Sequence, residues 1–487
     1  MPQVETGNPE RHVCIVGAGI SGLRCADILL SKGFKVTILE ARDRIGGRIC
    51  QSDDLGYTVD IGPNWIHAWT DSDEPHPVYK LATDTATPLH YWNNKQLIYD
   101  SLGRTLPAEQ SERLSTLLWE IIEEAFKFSE KARDEDGGKG IPSHDSLQDF
   151  IRRRAEEVVS DEGERKLLVQ ISEVFGAYVG EPVGKQSLRF AWMEECCGGE
   201  EMFVETTFSS ILQQAAKPAL EGATLRLNTL VVGVKTPEAR WREQPVVVTT
   251  EAGEDMSFDE VVMTTPLGWL KRHQDVFSPP LPQRLAVAIN NISLSQLEKV
   301  FITFPRVFWN EDPAVNNFPC YTNWLAPEYA NDTNPHGWPQ EIWDLSNFSA
   351  PNNHPTILFY LYGDCSRYIV NMIHGKPKAD KTRLLNDFFR PYYSRLPGYS
   401  PDNPDCKPKA ILATEWLKDE LNGFGSYCNF QVGIEEADKD VLAIREGCPD
   451  RRLWLCGEHA APFEECGTVA GAYLSGESIG KKIAAVY

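Results

Sequence analysis

Three glycines, one carboxylate and their spacing carry the first chemical signal in this sequence. Gly17-x-Gly19-x-x-Gly22 follows the apolar run Val13 to Val16, and Glu40 lies 18 residues beyond Gly22. The first glycine permits a tight turn, the second lets backbone approach a pyrophosphate, and the third lets a helix pack on the preceding strand. A carboxylate at Glu40 suits a ribose hydroxyl. It disfavours a 2′-phosphate, because two negative charges would meet. The pattern points to a dinucleotide site; a glycine-rich turn without ligand is the alternative.

The elements that must hold these residues are readable around them. The Val13 to Val16 run suits a strand buried on both faces of a parallel sheet. A helix is expected from roughly Ile20 to Ser31, stopped by Gly33, with its free N-terminal amides facing the phosphates. "KVTILE" then forms a second strand ending at Glu40. Residues 107 to 175 carry apolar residues at helical spacing, as in "LSTLLWEIIEEAFKF" and "SLQDFIRRRAEEVV". Strands return near 222 with "TLRLNTLVVGVK", "QPVVVTTEAG" and "FDEVVMTTPLGWLK". "LEKVFITFP" is another strand, followed by a loop-rich aromatic region to about 350, the strand "HPTILFYLYG", and a helix over 380 to 396. The charge run "KARDEDGGKG" reads as a solvated loop between helices.

With 487 residues the chain is too long for one simple core and suggests two interleaved domains. Its 48 basic and 70 acidic residues give a net charge of −22, which argues against nonspecific nucleic-acid binding and is compatible with cationic substrates. No apolar stretch of roughly 20 residues predicts a spanning helix. The first strand begins near residue 12, leaving no room for a signal peptide, and the C-terminus "IAAVY" is not an SKL-type address. The 12 cysteines show no metal-ligand spacing; Cys196 and Cys197 are adjacent, and reduced thiols in a cytosolic protein are expected.

The residues after Glu40 select the cofactor. "EARDRIGGR" places Arg42, Gly46, Gly47 and Arg48 directly after the acid. This run resembles the flavin signature of the glutathione-reductase-like superfamily, in its amine oxidase branch, where the glycine pair and the arginine crowd the FAD pyrophosphate. An arginine suits a diphosphate through charge-assisted hydrogen bonds.

The resemblance continues over nearly the whole chain. "DIGPNWIHAW" is similar to a family segment that runs past the flavin and implies Gly62, Pro63, Asn64 and Trp65 as neighbours of the cofactor; Pro63 stands where a small residue is usual. His67 matches a position facing the substrate tunnel, although a histidine bonded within the core is equally open. Val231, in "LNTLVVGVK", matches the valine that packs on the adenine. "TTPLGWLK" places Thr265, Pro266 and Gly268 close to the cofactor. Lys299, in "LEKVFITF", matches the lysine that holds a water against the reactive flavin nitrogen.

Near the C-terminus "ELNGFGSYCNFQVG" implies Tyr427 as one aromatic wall of a substrate cage, with Trp416 nearby. Ser426 matches the position of a flavin-linking cysteine in some members, so covalent attachment there is impossible, and Cys428 is not expected to substitute. In "LCGEHAAPFEECGTVAGAYLSG", Glu458 matches the ligand of the ribityl chain and Val469 a main-chain contact to the ring. Thr468, also implied as a cofactor-binding residue, begins the closing helix, whose N-terminus would face the flavin ring, and stands where the family carries its second aromatic wall. The pocket is then wider and more polar, unless Trp192, Trp324 or Tyr362 compensates.

The resemblance implies an α/β fold, α+β overall: a glutathione-reductase-like FAD-binding Rossmann domain interleaved with a substrate domain of mixed sheet and helices. Residues 1–90, 220–290 and 425–487 are expected to hold the cofactor; 91–219 and 291–424, with the helical insert, are expected to face the substrate. The implied chemistry is transfer of hydride from the carbon beside an amine nitrogen to non-covalent FAD, with dioxygen as acceptor giving hydrogen peroxide. Polyamines are the leading substrate class, another amine or alkaloid the second, and a non-catalytic flavin-binding protein the alternative of another class. Lys299, His67 and Tyr427 are the expected catalytic group. An amino-acid oxidase would need an arginine facing a carboxylate, for which Arg189 and Arg367 have no supporting motif. Partners are a small-molecule amine and dioxygen, with neither nucleic acid nor membrane; the oligomeric state is not legible.

Overall fold

A computed structural model describes residues 11–68, 76–91, 95–194, 200–237, 244–310 and 318–487. Cys196, Cys197 and Trp69 lie outside them. The first sheet has five parallel strands in the order Leu453–Leu455, Glu260–Met263, His12–Val16, Lys35–Leu39 and Thr224–Arg226. Its strands come from far apart in sequence, and His12–Val16 lies at the centre. Val13, Cys14 and Ile15 are wholly buried there, which is why both faces of this strand must be apolar.

The turn after that strand is built on its glycines. Gly17 has φ +110° and donates its N–H to the Leu39 carbonyl at 2.8 Å. A Cβ on Gly22 would stand 2.2 Å from the Gly17 oxygen, so only glycine lets the Ile20–Ser31 helix pack this close. The C-terminal helix Val469–Val486 and the helix Ser209–Gly222 both lie against Ile20–Ser31.

A six-stranded sheet carries the second half, in the order Ala410–Ala413, Leu297–Thr303, Thr356–Tyr362, Gln340–Asp344, Tyr321–Trp324 and Gln96–Tyr99. All neighbours are antiparallel except the last pair. Two of its strands fall in the region read as loop-rich. Tyr321–Trp324 and Gln340–Asp344 are fully buried despite Thr322, Asn323, Gln340, Glu341 and Asp344. Their polar side chains hide the apolar run that marks a buried strand.

The helical insert follows its apolar spacing, as Ala108–Asp136, Leu147–Val158, Glu162–Ile171 and Val174–Val179. Ser146 starts the second of these with a capping box to Asp149. The run "KARDEDGGKG" is not a loop for most of its length. The Ala108–Asp136 helix continues to Asp136 and ends at Gly137 in the left-handed region, because helix-compatible charged residues extend it until a glycine allows the stop.

Candidate active site

A continuous cavity of 800 Å³ runs from the glycine turn to the six-stranded sheet. At one end lie Gly17, Gly19, Glu40, Arg42, Gly47 and Arg48. A Cβ on Gly19 would meet nothing within 4 Å, and one on Gly47 would reach only the Gly19 Cα at 3.5 Å, so two glycines form an open cradle. Glu40 is set by local backbone. Its Oε2 accepts the Ala18 N–H at 2.7 Å and its Oε1 accepts the Arg42 N–H at 2.9 Å. Arg42 is clamped to Asp419 at 2.8 Å, a partner the sequence did not suggest. Gly22 does not line the cavity; its place is in the helix packing described above.

Arg48 bridges the halves of the chain. Its Nη1 donates to the Ser426 carbonyl at 2.6 Å and to Glu458 Oε1 at 2.9 Å. Burial would raise the Glu458 pKa, but Arg48 and the other donors around it outweigh burial and lower it. The Cys428 N–H reaches the second Glu458 oxygen at 3.2 Å. Ser426 Oγ donates to the Leu297 carbonyl at 2.7 Å.

The middle of the cavity gathers Gly62, Pro63, Asn64, Trp65, Val231, Thr265, Pro266 and Val469. Thr265 Oγ1 is buried with no partner among the described residues, a free polar group facing a cavity. Together with the glycine cradle and the Glu40 carboxylate, it fits a bound FAD. Trp416 donates its Nε1–H to the Ile61 carbonyl at 3.2 Å and also lines the wall.

Lys299 points inward. Its strand is buried from Glu298 to Thr303, and Lys299 itself is 5% exposed. Its Nζ donates to the Gly62 carbonyl and to Asn64 Oδ1. Tyr360 donates its hydroxyl to the same Asn64 oxygen at 2.9 Å, and Trp65 Nε1–H donates to Tyr360 at 3.2 Å. Burial lowers the Lys299 pKa, and the nearby Asp60 carboxylate opposes that shift. The Asp60 pKa is raised, by burial first.

Tyr427 lines the cavity, with its hydroxyl donating to the Tyr178 carbonyl at 2.6 Å. Thr468 lines it too, and its side chain is committed elsewhere. Thr468 Oγ1 accepts the Gly471 N–H at 2.9 Å as helix N-cap and donates to Glu465 Oε2 at 2.8 Å. Glu465 Oε1 lies 3.3 Å from His76 Nε2. His67 reaches the cavity from the short strand Trp65–Ala68, opposite Glu201. Its Nδ1 is 3.7 Å from Glu201 Oε1, too long for a hydrogen bond.

None of Trp192, Trp324 and Tyr362 lines the cavity, so none supplies the aromatic ring that the sequence reading sought in place of Thr468. Trp192 packs on Phe463 and Trp324 on Tyr99, while Tyr362 fills the core beneath the sheet. The aromatic walls are instead Trp65, Tyr178, Tyr321, Trp343, Tyr360 and Trp416, together with Trp119 and Phe175 from the helical insert. Sequence reasoning missed most of these because they converge through strand register (Tyr321, Trp343, Tyr360) and helix packing (Trp119, Phe175, Tyr178) rather than through a motif. Arg189 and Arg367 are also off the cavity, paired with Glu435 and Glu181. The cavity's arginines among the described residues, Arg42 and Arg48, lie at the cradle end.

The sequence pattern of the flavin containing amine oxidoreductase family matches residues 20–480, and so spans both the cradle and the aromatic chamber. The chain belongs to this family. It is a flavin-dependent amine oxidase with FAD as its cofactor. It is 27% identical to probable polyamine oxidase 4 of Arabidopsis thaliana, over 97% of this chain and 86% of the relative. Identity to polyamine oxidase 4 of Oryza sativa subsp. japonica is 25%, over 95% and 86%. Lysine-specific histone demethylase 1 homolog 1 of Arabidopsis thaliana is 26% identical over 96% of this chain, but that match spans only 51% of the relative. In fold, the amine oxidase chain superposes on wild-type putrescine oxidase bound to putrescine with a TM-score of 0.72. The alignment covers 98% of this chain and 99% of that one at 20% identity.

Proposed function

We propose that this amine oxidase acts on polyamines, namely spermine, spermidine or their acetylated forms, and uses dioxygen as electron acceptor. The observation that carries the reading is the make-up of the chamber beyond Lys299. Its walls are aromatic, its charged side chains beyond Lys299 are the acids Glu194, Glu201 and Glu341 with the exposed Glu123–Lys127 pair at its rim, and its arginines stay at the cradle end. Aromatic faces and carboxylates suit cationic, largely aliphatic amines. An amino acid would bring a carboxylate into a chamber with no arginine to receive it.

When bound, FAD would supply the hydride acceptor and the route by which dioxygen is reduced to hydrogen peroxide. The protein's own residues bind and orient. Gly17, Gly19, Glu40, Arg42, Gly47 and Arg48 would hold the dinucleotide, with Val231, Thr265 and Pro266 along its length and Glu458 and Val469 at the ring end. Ser426 leaves the attachment non-covalent. Gly62 to Trp65 would pass the ring, and Tyr427 would be one wall for the amine. Lys299, pinned by Asn64 and Gly62, would place a hydrogen-bonding ammonium beside the reacting centre, with His67, on the strand Trp65–Ala68 of another sheet, as a polar contact. In this reading residues 1–90, 220–290 and 425–487 hold the cofactor, and 91–219 and 291–424 face the amine.

A bulkier amine of specialised metabolism is the second reading, favoured by Thr468, which leaves one wall of the cage open. A flavin-holding protein without activity would have no use for an inward lysine in an aromatic chamber. The described cysteines, ten in number, are all free thiols, which supports a reducing, cytosolic setting. Among the described residues no helix is long and apolar enough to cross a membrane.

The test is product analysis. The holoenzyme is incubated in air with spermine or N-acetylspermine, and peroxide, aldehyde and the shortened amine are measured together. Stoichiometric release of all three supports the reading. Release only from bulky non-polyamine substrates moves the assignment to the second one.

A further inference from the structure

Two thiols meet beside the Tyr427 wall. Of the ten described cysteines, all free, Cys428 and Cys466 are the two that line the cavity. Cys428 follows Tyr427 directly and pairs in register with Leu294. Cys466 ends the turn Phe463–Glu465 and stands two residues before Thr468. The two segments touch, since a Cβ on Gly467 would come within 3.3 Å of the Cys428 carbonyl oxygen. One carbonyl also gathers them: Glu458 O lies 4.0 Å from Cys428 Sγ and accepts the Gly467 N–H at 3.3 Å. Cys466 Sγ faces the Ala461 and Pro462 carbonyls at 3.7 and 3.6 Å, the weak contacts of a poor donor.

The side chains of Cys428 and Cys466 are direct neighbours. Contact with Cys466, then burial, then the Glu458 carboxylate hold the Cys428 thiol well above its usual pKa. Cys428 is therefore the member of the pair that keeps its proton. The thiolate is the nucleophile in thiol chemistry, so Cys466 is the sulfur open to first attack. A second pair provides the contrast. Cys25 is close enough to Cys456 to feel its charge, but both are wholly buried and neither lines the cavity.

We propose that Cys428 and Cys466 are a peroxide-responsive dithiol, oxidised to a disulfide by the hydrogen peroxide that turnover releases into the same cavity. The inference rests on the oxidase reading for its source of peroxide. The Cys466 sulfur attacks one peroxide oxygen, the O–O bond breaks, and water leaves a sulfenic acid on Cys466. The Cys428 sulfur then attacks the Cys466 sulfur. The S–O bond breaks, and the hydroxyl leaves as a second water with the Cys428 proton. Two thiols have lost two electrons and two protons, and the peroxide has gained both. The bridge ties the residue after Tyr427 to the segment that carries Thr468, fixing a chamber wall against the cap of the closing helix. Turnover slows as the bridge forms, and a dithiol reductant restores it.

The experiment treats the wild-type holoenzyme with hydrogen peroxide in the absence of amine. Remaining thiols are alkylated after denaturation, and the digest is read by mass spectrometry. The expected result is loss of Cys428 and Cys466 from the alkylated pool and one linked peptide lighter by two hydrogen atoms. Dithiothreitol returns both thiols, and Cys25 and Cys456 stay alkylated throughout. A pair that stays reduced overturns the proposal, as does a sulfinic acid on Cys466 with Cys428 untouched. Linkage of Cys25 to Cys456 to the same extent overturns it too, because the cavity would then confer no selectivity. The same digest after aerobic incubation with spermine, with and without catalase, tests the source of the oxidant. Linkage by added peroxide but none with spermine would count against the polyamine oxidase reading and leave the dithiol standing.

Discussion

The Tyr427 hydroxyl donates to the Tyr178 carbonyl at 2.6 Å, tying the C-terminal loop to the helical insert across the cavity. The Tyr427 ring also lies against Gly467, where a Cβ would come within 3.2 Å of it. The ring is therefore fixed both by its tip and by its face. Tyr427→Phe keeps the ring and loses the bond, so turnover should change by less than about threefold while stability falls by about 1 kcal/mol, read by denaturant titration. Tyr427→Ala removes the wall, and kcat/KM should fall roughly tenfold or more.

Lys299 is held by two oxygens, and its removal tests whether it acts or only fills space. Lys299→Met retains bulk and loses the ammonium. FAD content, read from the visible spectrum of the purified protein, is expected to stay at the wild-type level. Aerobic turnover is expected to drop by roughly two orders of magnitude, the scale of removing one electrostatic donor from an active site. Equal losses of cofactor and activity would mean a structural role.

Thr468 serves as a helix cap at the position where the sequence resemblance implies an aromatic ring. Thr468→Tyr should therefore have two opposed effects. The cap to Gly471 is lost, lowering stability by about 1 kcal/mol. The chamber narrows, and KM for linear polyamines should fall. Thr468→Ser keeps the cap and should leave both quantities near wild type. An unchanged KM in Thr468→Tyr would show that position 468 is not part of the cage.

Buried carboxyls make stability depend on pH. Burial raises the pKa of Glu341 to about 8 and those of Glu194 and Glu298 to about 7, from an ordinary value of 4.5. A group whose folded pKa is raised stabilises the fold fully below its unfolded pKa, and that contribution is lost as pH rises through the folded value. The apoprotein should lose Tm from about pH 4.5 upward, with the loss from these groups complete by about pH 8. Glu341→Gln removes one of the three groups, and its Tm should fall less over the same interval.

The cradle end of the site was legible in the sequence because its parts are local. Gly17, Gly22 and Glu40 sit in one strand, turn, helix and strand, and each meets backbone within that unit. Lys299 was legible through the match of "LEKVFITF" to the family's strand, and it is buried within that strand. The chamber was not legible. Tyr321, Glu341, Trp343 and Tyr360 converge through the pairing of three strands, and two of those strands are too polar to announce themselves. Trp192, Trp324 and Tyr362, the aromatics named as possible replacements for a wall at Thr468, do not line the cavity. Trp324 follows Tyr321 by three positions, so strand alternation turns its ring to the opposite face of the sheet, into the core.

The central claim is that the aromatic chamber delivers a polyamine to FAD. Its most direct test is anaerobic. The yellow holoenzyme is mixed with spermine or N-acetylspermine without dioxygen, and the visible band of oxidised flavin is followed in time. Rapid bleaching by one of them, with colour returning on admission of air, is the predicted result. A band that stays unchanged with both, in a protein that binds FAD fully, would contradict the claim.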